Sequence, residues 1–234
     1  MNRISNWAFV CLSASIVILG AFIYAGIAGF KDSDRIVTVK GLSSREVPAD
    51  KVIWPLVFKG ASNSLSELTA VNERNTKAII DFLTAGGIDS NDITISPVKV
   101  NDALSELYQS DRVTFRYKST SVITVATSKV DEVRKLLSRQ SELVSKGIVL
   151  SGENYEYPLI FSFNGLNDIK PEMVAQATKN ARATAEKFAQ DSDSRLGKIR
   201  NASQGQFSIE DRDSNTPHIK IVRVVTTITY QLAD

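Results

Sequence analysis

The chain has 234 residues, 43% of them hydrophobic, and its 28 Lys and Arg nearly balance its 26 Asp and Glu for a net charge of +2. That balance offers no clustered positive charge, so a nucleic-acid partner is not expected. The single cysteine, Cys11, excludes a disulfide framework and a cysteine-based metal site, and Val10 before it does not fit a lipidation signal.

Residues 7–30 (WAFVCLSASIVILGAFIYAGIAGF) carry no charge and run directly into Lys31, Asp32, Asp34 and Arg35. At about 1.5 Å per residue such a helix is about 36 Å long, enough for a hydrocarbon core of about 30 Å. Trp7 and Tyr24 lie near its ends, where amphipathic aromatics suit the membrane interface. The apolar region of a cleaved signal is shorter, and the best small-x-small site here is Gly26-Ile27-Ala28. The expectation is an uncleaved signal-anchor over residues 1–35, with a folded domain over 36–234 outside the cytoplasm. Cleavage and release into the periplasm is the alternative. Arg3 on one side and Lys31 and Arg35 on the other leave the orientation undecided by charge.

Beyond the apolar run, residues 36–41 alternate as a short strand. Residues 51–60 form a stronger one, in which Pro55 argues for an edge or a bulge. Ser64 and Glu67 have capping-box spacing before an amphipathic helix over 65–84, stopped by Gly86-Gly87. Ile93, Ile95, Val98 and Val100 mark one strand ending near 100, and residues 101–112 read as a polar loop. A long strand is predicted over 113–126, then a helix capped by Ser128 and carrying Val130, Val133, Leu136 and Leu137. Residues 147–163 return to strand, with Tyr157, Leu159, Phe161 and Phe163 alternating. From 51 to 163 the order is strand-helix-strand-strand-helix-strand, the split βαβ order of ferredoxin-like folds. An α+β fold follows, with an antiparallel sheet packed against helices.

Residues 171–191, with Pro171 in the first turn, are predicted helical, with Val174, Ala177, Ala181, Ala185 and Phe188 on one face. Alanines at that spacing let a neighbour approach closely. Packing on the domain's own sheet is expected, with an oligomer contact as the alternative. Strands at about 195–203 and 219–232 close the chain around a polar hairpin loop, 204–218.

Four stretches, "IVTVKGLSSREVPAD", "LTAGGIDSNDITISP", "EMVAQATKNARATAEKFAQDSDSRLGKI" and "IKIVRVVTTITYQL", together resemble the SIMPL-domain family of bacterial exported or membrane-anchored proteins. The resemblance covers essentially everything after residue 35. It implies an α+β fold, a place in the periplasm or cell envelope, and self-association into ring- or channel-like assemblies in some members. It implies no established catalytic activity. The uncleaved anchor and the long charged loop at 204–218 depart from the family, so such an assembly is not carried over.

His218 is the only histidine, so any Ser-His-Asp set would need it. Beside Pro217, it reads as a solvated or hydrogen-bonded loop residue. Glu210, Asp211 and Asp213 could gather around a hard cation, but Arg212 interrupts them, and a solvated loop is expected. Asp89, Asn91 and Asp92 suit turn hydrogen bonds. No catalytic, cofactor-binding or metal residues are assigned, and no cofactor is expected. The expected function is that of a non-enzymatic, membrane-anchored envelope protein that self-associates or binds an envelope partner. The alternative is a ligand-binding or hydrolytic enzyme with a pocket near loops 101–112 and 204–218.

Overall fold

The computed structural model describes residues 3–32, 35–105, 114–152 and 155–233. The chain opens with helix α1 (Arg3–Asp32), strands β1 (Ile36–Pro48) and β2 (Lys51–Ser62), and helix α2 (Leu65–Ala85). Strands β3 (Ile93–Ile95), β4 (Lys99–Asp102) and β5 (Tyr117–Thr127) follow, then helices α3 (Val130–Ser138) and α4 (Ser141–Ser145). Strand β6 (Ile160–Ser162), helix α5 (Leu166–Asp191) and strands β7 (Arg195–Gln204), β8 (Ser208–Asp211) and β9 (Ile219–Ala233) complete it. The fold is mixed α+β, with antiparallel sheets packed against helices. Residues 36–234, read above as one domain, are divided between two units. One unit holds Met1–Arg45, Ile169–Ser208 and Val222–Asp234, the other Glu46–Asp168 and Ile209–Ile221.

In the second unit the sheet order is β3-β5-β2-β6, with β4 also paired to β5. The pairs β2–β5, β2–β6 and β3–β5 are all antiparallel. This is the split βαβ order expected from the sequence. Its core joins Leu56 and Phe58 of β2, Ile79 and Leu83 of α2, Ile123 of β5 and Leu136 of α3, each at most 1% exposed. Helix α2 starts as expected at Ser64, whose Oγ accepts the Glu67 N–H, although at a long 3.5 Å. The reciprocal half of the capping box is not made, because the Glu67 carboxylate instead accepts the Ser62 hydroxyl at 2.7 Å. Gly87, at φ +92°, ends the helix in the left-handed region, as the glycine pair predicts.

Several expected elements change. The single strand ending near 100 is two short ones, β3 and β4, because Pro97 interrupts the ladder along β5. Pro55 stands where β2 has lost its β6 partner beyond Ile53 and has not yet met the Phe58–Leu150 bridge, in keeping with an open strand side. The long strand over 147–163 shrinks to β6 and that bridge. Pro158, lacking an N–H, falls in the unpaired stretch, and residues 153–154 lie outside the described residues. Ser128 is not the cap of α3. Lys129 holds that position, its N–H donating to Thr127 Oγ1 at 3.2 Å and its Nζ to the Gly87 carbonyl at 2.9 Å. Residues 106–112 of the expected polar loop, and Val113, also fall outside the described residues.

In the first unit, β1, β9 and β7 pair in that order. Val39, Ala181, Ala185, Ile228 and Tyr230 form its core cluster. Strand β1 continues to Pro48, well past the expected end at Gly41. Its inward positions there are Gly41, Ser43, Arg45 and Val47, and the first three break the apolar half of the alternation before it returns at Val47. The buried stripe of α5 is Met173, Ala177, Ala181, Ala185 and Ala189. Phe188, expected on that face, is 55% exposed. A spacing of four advances the stripe by about 40° per step around a helix of 3.6 residues per turn, so by Ala185 and Ala189 it has wound away from Phe188.

Helix α1 presents Trp7, Phe9, Leu12, Val17 and Phe22 to the outside, all at least 58% exposed. Among the described residues no helix is long and apolar enough to cross a membrane. The spanning helix expected over residues 7–30 is therefore not supported there.

Candidate functional site

The residues singled out from the sequence stay apart from one another. His218 packs edge-on against Phe161, with ring centroids 6.1 Å apart, and its backbone carbonyl accepts the Ala49 N–H at 2.8 Å. Burial, then the nearby positive charges of Arg134 and Arg212, lower its pKa from the ordinary value. A neutral ring on an aromatic edge anchors the start of β9, and no carboxylate hydrogen-bonds to it among the described residues.

The acidic loop is spoken for internally. Asp211 pairs with Lys220, itself only 7% exposed. Asp213 accepts the N–H groups of Asn215 and Thr216 at 2.8 and 2.9 Å and the Thr216 hydroxyl. That hydroxyl, with Arg212 and the two N–H groups, lowers the Asp213 pKa to about 2. No group of His, Cys, Asp and Glu suited to a metal ion occurs among the described residues. Asp89 accepts Lys129 Nζ at 2.7 Å, and its backbone carbonyl accepts the Asp92 N–H at 3.0 Å, a turn as expected.

The concave surface lies instead around β4. Register across β4, β5 and β2 sets Lys99, Thr120 and Lys59 on one rung and Asn101, Lys118 and Ala61 on the rung two residues on. Alternation along a strand puts these two rungs on one face of the sheet. They line an open groove of about 520 Å³. Lys99 Nζ donates to Tyr157 Oη at 3.2 Å and Glu156 at 3.3 Å, and these bonds, the tyrosine first, raise its pKa. Lys59 and Lys118 meet no acidic side chain among the described residues.

The rung between faces the other way. Val100, Ser119 and Gly60 are register partners, and the Ser119 hydroxyl donates to Asn72 Oδ1 of α2 at 3.1 Å. A β-carbon on Gly60 would stand 2.8 Å from Ser119 Oγ and 3.2 Å from Asn72 Oδ1, so only glycine leaves this contact room. Beside it, Leu68, Asn72, Ile80, Val98 and Val100 line a second groove of about 400 Å³ between α2 and β4. Asn72 is 5% exposed, and Ser119 is its only hydrogen-bond partner among the described residues. The other end of its amide is not a buried unpaired group and opens to the groove. The end of β4 is held by Asp102, which takes a forked bond from Arg116 with contacts of 2.9 to 3.2 Å.

The pocket expected, as the alternative, near loops 101–112 and 204–218 is not lined by those loops beyond Asn101, and the groove lies on the strands instead. Its informative signal was the alternation Lys99-Val100-Asn101 beside the Lys59 and Lys118 strands, which assigns one face to cations and the other to apolar contacts. No curated protein matches this chain. Residues 37–226 match the family model described as SIMPL, protein of unknown function (DUF541), and the chain accordingly belongs to the SIMPL family.

Proposed function

We propose that this protein is a non-enzymatic component of the cell envelope, held at a membrane by residues 7–30, whose SIMPL domain self-associates or binds an envelope partner. The observation that carries the reading is α1. Its described apolar side chains are exposed, Val17 at 72% and Phe22 at 73%. A patch of that kind on a water-soluble surface would be costly, and a bilayer relieves the cost. The absence of charge from residue 7 to residue 30 supports the same reading. Asp131 and Asp213 lie near His218 without a hydrogen bond to it among the described residues, an arrangement that favours a binding role over Ser-His-Asp chemistry.

The alanine face of α5 is used up inside its own unit. The outer edge of β7 carries Lys198 and Arg200, and its ladder is broken by bulges between Leu196 and Asn201. Charges and bulges of this kind blunt an edge against pairing. The test of the tether is fractionation. Full-length protein is expected to stay with membranes through a high-salt wash, and a mature N-terminus at Gly29 would overturn the anchor in favour of a cleaved, secreted protein.

A further inference from the structure

We propose that Asn164 is a site of spontaneous deamidation, and that the Asp50 carboxylate holds it closed in the folded protein. Asn164-Gly165 is the chain's single Asn-Gly pair. An asparagine before glycine is the pair most prone to this reaction, because glycine carries no β-carbon to hinder attack by its own nitrogen. The inference stands apart from the binding role above.

The reaction needs only water. The Gly165 main-chain nitrogen gives up its proton to solvent base and attacks Cγ of Asn164. The N–Cγ bond forms, the Cγ–Nδ2 bond breaks, and Nδ2 takes a proton from solvent and leaves as ammonia, so that a five-membered succinimide remains. Water then opens one of the two ring C–N bonds. Opening at Cγ gives aspartate at 164, and opening at the main-chain carbonyl gives isoaspartate. Two groups must be free for the first step, the Gly165 N–H and the Asn164 amide.

Asp50 engages both. Its Oδ2 accepts the Gly165 N–H at 2.9 Å, and its Oδ1 accepts the Asn164 side-chain amide at 3.0 Å. A negative charge against the N–H opposes loss of its proton, and the bond to Nδ2 keeps the amide from turning its carbon onto the nitrogen. The Asn164 N–H, 2.8 Å from Oδ2, completes the clasp. Asp50 is itself fixed by its own N–H, which donates to the Ser162 carbonyl at 2.9 Å. The fold keeps glycine at 165 despite its reactivity, since a β-carbon there would stand 3.0 Å from Cζ and 3.1 Å from Cε2 of Phe163. Conversion replaces the Nδ2 donor by a second carboxylate facing Asp50, a like-charge contact. Isoaspartate also lengthens the main chain by one carbon just ahead of α5. The product therefore undoes the clasp that had held the site closed.

The test incubates full-length protein in detergent micelles at mildly alkaline pH. Peptide mapping by mass spectrometry follows Asn164, with Asn63 and Asn201 as internal controls. Asn164 is expected to convert about tenfold or more slowly than in the free peptide Ser-Phe-Asn-Gly-Leu-Asn. In Asp50→Ala it is expected to convert about tenfold or more faster than in the native protein, with the two controls unmoved. Asp50→Asn, an uncharged acceptor, should fall between the two and keeps the test decisive where Asp50→Ala does not fold. A native rate equal to that of the peptide overturns the proposal, as does an unchanged rate in both Asp50 variants. Acceleration of all three asparagines together also overturns it, because opening of the fold and not Asp50 would then set the rate. Asn164→Asp, the product made directly, should melt below Asn164→Ala, and the reverse order overturns the like-charge contact between product and Asp50.

Discussion

Gly41 of β1 lies flat against the backbone of Ala177 in α5. A β-carbon built on Gly41 would stand 1.9 Å from the Ala177 carbonyl oxygen and 2.5 Å from the Ala181 nitrogen. Both atoms are main chain and cannot swing aside, so strand and helix approach as closely as two backbones can with one glycine between them. The alanine stripe and the glycine are two halves of one contact.

Gly41→Ala is therefore expected to destabilise strongly. Overpacking typically costs about 1–3 kcal/mol, and a clash with rigid backbone belongs at or above the upper end. Urea denaturation of the variant reads this as a lower midpoint, and an unchanged midpoint would mean that the contact is far looser than described.

Ala181→Leu tests the same contact from the helix side. Ala181 is fully buried, and its β-carbon would lie 2.8 Å from one placed on Gly41. The larger side chain is expected to lower the melting temperature of monomer and any oligomer alike. A fall in oligomer size with the melting point unmoved would instead make this face an assembly contact.

Asp50 gathers the turn before α5. Its carboxylate accepts the Asn164 N–H at 2.8 Å, the Gly165 N–H at 2.9 Å and the Asn164 side-chain amide at 3.0 Å. Asp50→Ala strands three donors and is expected to cost about 1–2 kcal/mol by thermal or urea unfolding. Asp50→Asn, which keeps an acceptor, should cost less. Equal costs would mean that these bonds contribute nothing through the acceptor.

Two groups of the β8–β9 region give a pH dependence with a definite sign. Asp213 is held to about 2 chiefly by the Thr216 hydroxyl, below its ordinary 3.8. Its stabilising contribution is complete above 3.8 and is lost as pH falls toward 2. His218 is lowered from 6.5 by burial. Being a base kept neutral, it contributes fully above 6.5 and loses that contribution as pH falls below it. Stability should thus decline on acidification in two stages, the first from the histidine. Side-chain NMR titration checks both, and a His218 midpoint at or above 6.5 would contradict its placement against Phe161.

Much of the second unit was legible from local pattern. The α2 stripe of Leu68, Ile79 and Phe82 recurs at helical spacing because a helix repeats every 3.6 residues, and Ser64 and Gly87 mark its ends by their own backbone chemistry. The strand-helix order then left the split βαβ arrangement as the packing that buries both helix stripes. The reading failed where local pattern is weak. Gly41, Ser43 and Arg45 at inward positions hid the second half of β1 as far as Val47, Pro97 divided a strand whose apolar positions looked continuous, and the alternation of Tyr157 to Phe163 had no partner strand for most of its length.

The sequence by itself determined the family, the α+β composition and the spacing of the α5 alanines, since each depends on neighbours a few residues apart. Only the tertiary structure decided what those features touch. Gly41 meets Ala177 across 136 positions of chain, and Lys59, Thr120 and Lys99 become one rung although they come from three separate strands. Register is set by how whole strands bury their faces, and a slip of one residue would turn every lysine of the groove to the other side. A contact between distant segments leaves no mark in either segment alone, which is why the lysine face and the apolar groove of β4 emerge only once the strands are paired.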